Sequence, residues 1–261
     1  MRVTILLLIL FASVSFAQNS GDLKKYNEPE SRLRGVIEKF SRDRGSLQRF
    51  YTARTSINRA KRFRTFYKDW QDFLGKQDFA SLNHDEQIDY LLFQNYLKQQ
   101  QLELVRYRWK LAEMESVLPF MHTISDLEDD RRNLKTIDAA KIAKLLDDLN
   151  TQIIALQKKL IAKDKKAAGV IKPTVANRAA GTIVSLKRVL DNWYRFHAGY
   201  DPEFSWWNKK PYEAVSKSLM DYRKLVLSKL VGIKPDDTTT IIGDPIGRAT
   251  LINELEYEMI P

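Results

Sequence analysis

Cysteine is absent from this chain, which removes disulfide cross-links, thiol nucleophiles and every zinc site built on thiolate ligands. Stability has to come from packing alone. Glycine (10) and proline (8) are sparse among 261 residues, which weighs against collagen-like and turn-dense all-β architectures and makes long helices the expectation. Histidine occurs only at positions 84, 122 and 197, with no HExxH pair to hold zinc from one helix face. No GxSxG nucleophile elbow is present, and GDPIGR at Gly243–Arg248 has neither phosphate-loop spacing. A metal site would have to be assembled from His84, His122 and His197; surface or helix-end histidines are the simpler reading.

Long apolar runs are also lacking, except at the start. Val3 to Val14 is apolar, Arg2 precedes it and Ser15-Phe16-Ala17 offers a small-x-small cleavage site. The run is shorter than the roughly 20 residues a spanning helix needs. This pattern predicts a signal peptide over 1–17 cut near Ala17, a polar linker over 18–30 and a helical domain over 31–261. The protein is then exported, periplasmic or secreted, without a transmembrane segment. Gln18 in place of cysteine at the new N-terminus excludes a lipid-modified lipoprotein.

What the chain does have is helical periodicity. Leu33, Val36, Ile37 and Phe40 predict a short helix opened by Ser31, broken at Gly45-Ser46 and followed by a second helix over Leu47–Leu74 with Gly75 as its stop. Ser81 or Asn83 caps the next helix, with Asp85 and Glu86 in its first turn. Ile88, Leu91, Leu92, Tyr96, Leu102, Val105, Trp109 and Ala112 suggest its buried face, and Pro119 ends or kinks it. Ile142, Leu145, Leu149, Ile153, Leu156 and Leu160 give the most regular seam, read as one side of an antiparallel helix pair. The lysine-rich turn 163–166 and Gly169 lead to a helix with Pro173 in its first turn and Gly199 as its stop. The aromatic segment Tyr200–Tyr212 reads as a packing corner leading into another helix, and 232–247 as an irregular loop before a last helix near Arg248. The predicted fold is an all-α, elongated multi-helix bundle with long antiparallel helices.

Charge is uneven. The net formal charge is +10, and between Arg42 and Lys68 nine basic residues face one acid, Asp43. Arg54, Arg59, Arg62 and Arg64 form the centre of this stripe, which suits phosphates, an anionic surface or an acidic partner. Interleaved aromatics would also suit nucleic acid, but an export signal argues against that partner. The acid pairs Asp129-Asp130, Asp147-Asp148 and Asp236-Asp237 read as solvated faces, since neighbours on a helix diverge by about 100°.

YDPEFSWWNKKPY at Tyr200–Tyr212, IIGDPIGRATLINELEYEMIP at Ile241–Pro261 and FASLNHDEQIDYLLFQNYL at Phe79–Leu97 together resemble the bacterial domain-of-unknown-function family 885. The resemblance implies an exported, largely helical protein similar to zinc metallopeptidases, about twice this length, with the metal motif in a C-terminal half beyond Pro261. No metal ligand or general base of the family has a matching position here, so the chain itself would carry no cofactor, and zinc would belong to a full-length protein. The matching positions, among them Tyr200, Asp201, Trp206, Trp207, Gly243 and Asp244, would shape a cleft or a domain junction together with Arg248. Two functions follow as expectations. One is the N-terminal helical portion of a metallopeptidase-like protein, inactive alone, partnered by its C-terminal half or a peptide substrate, with an apolar face left open near Leu251, Leu255 and Ile260. The other is a non-enzymatic cell-envelope module that binds through the basic stripe 42–68.

Overall fold

The computed structural model describes residues 31–162, 171–234, 237 and 239–258. The leader, the linker, the lysine-rich turn, Asp236 and Ile260 lie outside them. Eight α-helices and no strand are found among the described residues: α1 Arg32–Phe50, α2 Ile57–Leu74, α3 His84–Met114, α4 Met121–Arg132, α5 Ala139–Ile161, α6 Pro173–Ala198, α7 Pro202–Leu225 and α8 Arg248–Tyr257. The expected all-α bundle is the observed one. No described helix is long and apolar enough to cross a membrane.

Several helix ends follow their local chemistry. Ser31 caps α1 by accepting from the Leu33 amide, Gly75 closes α2, Pro173 opens α6 and Gly199 closes it. Asn83 and Glu86 form a reciprocal capping box at the start of α3. Glu86 also receives the guanidinium of Arg32, with Nη2 to Oε2 at 2.9 Å, so one buried carboxylate ties α1 to α3. The Arg32 hydrogen bonds and the Asn83 amide hold its pKa down to about 2.

Other expectations are corrected. The first helix does not break at Gly45-Ser46: α1 runs through both to Phe50, because a half-exposed glycine costs a helix only about 1 kcal/mol. The break falls at residues 51–56, where Ala53, Thr55 and Ser56 are buried and Ser56 caps α2 by accepting from the Arg59 amide. A helix not foreseen, α4, explains this. Thr52 donates to Glu128 at 2.8 Å, Thr55 shares a hydrogen bond with Ser125, and Ser56 donates to Asp129 at 2.6 Å. Asp129, read as solvated, is 3% exposed and also accepts from Asn58. Glu128 accepts from Arg131 and Arg132, and these bonds, with that from Thr52, outweigh its burial and leave its pKa low.

The large hydrophobic cluster lies among α4, α5, α6 and α7, with the C-terminal end of α3. Ala176, Ala179 and Ala180 on α6 bring it close to its neighbours, and Ile183, Leu186, Leu190 and Trp193 continue that buried face. α6 and α7 form a long antiparallel hairpin, with Tyr194 stacked on Tyr212 at 3.9 Å and the Tyr212 hydroxyl donating to Asp191 at 2.9 Å. The seam of α5 is made mainly with α7. Asn208 donates to the Ala139 carbonyl at 3.0 Å and Gln157 to that of Ser218 at 2.8 Å, so these two helices run in the same direction and α6 is the antiparallel return leg.

A second, smaller cluster joins α1, α2 and the first half of α3 around Phe40, Phe63, Phe66, Tyr67, Phe93 and Leu97. The buried side of α3 is therefore Phe93, Leu97 and Met114, and not the expected stripe: Ile88, Leu91, Leu92, Val105 and Trp109 are all exposed, Trp109 at 64%. The glutamine-rich middle of α3 has a use. Gln100 accepts from the Tyr67 hydroxyl, Gln101 donates to the Arg64 carbonyl, and Gln99 donates to Glu254 on α8.

Candidate anion-binding site

The junction between the clusters positions the basic stripe. Residues 51–56 are pinned to α4 by their hydroxyls, which carries Arg54 to the mouth of a pocket between α2, α3 and the start of α4. On α2, Ile57, Ala60, Lys61 and Arg64 recur at helix spacing and all line this pocket. Arg108 joins them from α3. Of the four arginines picked from the stripe, Arg54, Arg59 and Arg64 converge here, whereas Arg62 lies exposed and is not part of the lining. Arg108 lies outside the stripe, 44 residues beyond Arg64 in sequence, so charge density along the chain does not point to it.

None of Arg54, Arg59, Lys61, Arg64 and Arg108 forms an ion pair among the described residues. Arg59 instead donates to the Tyr51 carbonyl at 3.2 Å and lies over the Phe63 ring at 4.6 Å, and Arg54 lies 5.7 Å from the centre of the Tyr107 ring. Burial, and then the positive charge of Arg54, push the Arg59 pKa below the usual arginine value. Burial raises that of Tyr107 against the opposing pull of Arg54 and Arg59. Tyr107 is therefore a neutral hydroxyl at physiological pH. Uncompensated positive charge crowded around a concave surface favours an anion.

The motif residues behind the family resemblance do not line this pocket. Asp201 caps α7, accepting from the amides of Glu203 and Phe204, and Pro202 is the first helical residue. The expected aromatic corner is thus the opening half of α7, which continues through Pro211. Phe204 is buried, but Tyr200 and Trp206 are 80% and 76% exposed and Trp207 is exposed too, so these three do not pack a core. The other group lies elsewhere. Asp244 receives Arg178 at 2.6 Å and Lys110 at 3.0 Å, which hold its pKa low and fasten the loop to α3 and α6. Gly247 supplies the positive φ (+80°) that turns the chain into α8, and Arg248 begins that helix, exposed. The groove at Asp244, about 530 Å³, is walled by Arg106, Trp109, Lys110, Arg178 and Glu254 among others, with none of Tyr200, Asp201, Trp206 or Trp207 in it.

Among the described residues no three histidine, aspartate or glutamate side chains gather to hold a metal. His197 packs against Trp193 and Phe204, and His122 lines the arginine pocket. No family model, curated protein or solved structure matches this chain.

Proposed function

We propose that this chain works by binding, holding an anionic group of a partner at the pocket formed by Arg54, Arg59, Lys61, Arg64 and Arg108. The observation that carries this reading is the convergence of these five cations, none of them in an ion pair among the described residues, around a lining with one acid, Glu115. In water a lone surface arginine needs no partner, but several crowded around one concavity repel one another, and an incoming anion relieves all of them together. If the leader is cleaved as expected, the partner is met outside the cytoplasm, at the cell envelope.

The test is binding to inorganic polyphosphate across a salt series. Affinity should fall steeply as salt rises, and Arg54→Glu combined with Arg64→Glu and Arg108→Glu should lower it more than tenfold. The same change of net charge made at Lys158, Lys159 and Lys210 should leave it nearly unchanged. Equal loss in both triple variants would reduce the effect to overall charge and sink the reading.

A second reading is favoured by a different observation. Exposed apolar side chains on α3 (Ile88, Leu91, Leu92, Val105, Trp109) are accompanied by Leu251, Ile252 and Leu255 on α8. Such a surface suits a covering domain, in line with the helical N-terminal portion of a family-885, zinc-metallopeptidase-like protein. The isolated chain would then bind no zinc, cleave no peptide and self-associate. Sedimentation showing a monomer at high protein concentration would count against it.

A further inference from the structure

We infer that the ligand of the arginine pocket is an amphiphilic anion: a compact hydrocarbon body carrying one phosphate or carboxylate head. This rests on the binding reading above and narrows it to a chemical class. The cavity encloses about 310 Å³, at the small end of small-molecule sites and too little for a folded partner to enter. Its two zones differ in chemistry. Lys61, Arg64 and Arg108 are exposed cations of the lining, as is Arg54. The rest of the lining is largely carbon, from Ile57 and Ala60 on α2, Leu104, Leu111 and Ala112 on α3, and Met121 at the start of α4.

A bare inorganic anion would answer the cations but leave the carbon walls wet. A polyanion would follow the cations along the surface and gain nothing from the interior. A molecule with both a charged head and an apolar body satisfies both zones, because burying its hydrocarbon adds to the charge attraction. One further group suits the head: Tyr107, whose ring lies beside the Arg54 guanidinium, lines the same pocket and carries a neutral hydroxyl.

The experiment is isothermal titration of the purified chain with octyl phosphate, octanoate, inorganic phosphate and octyl glucoside, each below its critical micelle concentration. At least one of the two amphiphilic anions should bind ten times or more tighter than inorganic phosphate and than the uncharged glucoside. Ala60→Trp, which fills the cavity from a half-exposed helix position, should abolish that binding. Ala112→Trp, at an exposed position of the lining on α3, serves the same purpose if the first variant does not fold. Equal affinity for inorganic phosphate and both amphiphiles would overturn the inference, as would amphiphile binding that survives the filled cavity. Polyphosphate binding separates the two levels. If it persists while the amphiphiles fail, only this inference falls; if it fails as well, the binding reading falls with it.

Discussion

In the smaller hydrophobic cluster a single ring, Phe40, lies within 6.3 Å of five others, those of Phe66, Tyr67, Trp70, Phe93 and Tyr96. The larger cluster is filled mainly by Leu, Ile, Val and Ala from several helices, with Trp193, Phe204 and Tyr222 set among them. The densest ring of the second, Phe204, has three ring neighbours, Trp193, Tyr194 and His197, against five for Phe40. Aliphatic packing spreads its energy over many contacts, so a single deletion is partly absorbed, whereas a hub ring removed from an aromatic cluster strips a partner from every neighbour. Between the two stands a joint of hydroxyls on carboxylates: Thr52 on Glu128, and Ser56 with Asn58 on Asp129. The arginine pocket opens at that joint, so the residues that couple the clusters also shape the site.

The contrast is most exposed by Phe40→Ala, which should cost about 3–5 kcal/mol. Hydrogen exchange should show protection lost across α1, α2 and the first half of α3 while α6 and α7 keep theirs. Loss spread evenly over all helices would mean that the two clusters fold as one unit. Next in size is Asp129→Ala, which should cost about 1.5–3 kcal/mol because it leaves Ser56 and Asn58 without their charged acceptor. Urea unfolding should then separate into two steps, and a single sharp step would show that the joint does not couple the clusters.

Acid should act on the two regions in different windows. Burial, and then Arg131, lower the pKa of His197 beside the large cluster, so its neutral form is preferred in the fold. The stability it contributes is complete above its ordinary value of 6.5 and declines as pH falls below that. Glu86 in the smaller region is held near 2 against an ordinary 4.5, so its contribution is complete above 4.5 and is lost between 4.5 and 2. Thermal melts against pH should therefore decline in two stages. His197→Phe should flatten the upper stage and Glu86→Gln the lower; the opposite assignment would refute both. The smallest effect is a gain. Gly45→Ala should stabilise α1 by about 0.5–1 kcal/mol, since the added Cβ meets only the flexible end of Arg49 at 3.3 Å. A loss of stability in urea titration would restore a helix break at Gly45.

Helix existence was legible in the chain wherever an apolar repeat had a cap beside it, as at Ser31, Asn83 with Glu86, Pro173 and Gly199. The legibility failed where a partner from distant sequence made the decision. Gly45-Ser46 looks like a break and residues 51–56 do not. Yet burying Thr55 and Ser56 against Ser125 and Asp129, some 70 residues on, outweighs the local cost of a glycine in a helix. The buried face of α3 is illegible in the chain for a related reason. Its apolar residues are spread around the helix, so periodicity has no clear winner, and the ring cluster around Phe40 selects Phe93 and Leu97.

The candidate site divides in the same way. The density of positive charge over 42–68 was visible in the chain, but that Arg62 turns away while Arg108 turns in was not. Charge content, capping and the all-α class are properties of short stretches, and short stretches carry them. Which α3 face is buried, that α5 and α7 run in the same direction, and which cations share a cavity depend on pairings across tens of residues. Those pairings are settled by the burial and hydrogen bonding of side chains that meet only in the folded chain.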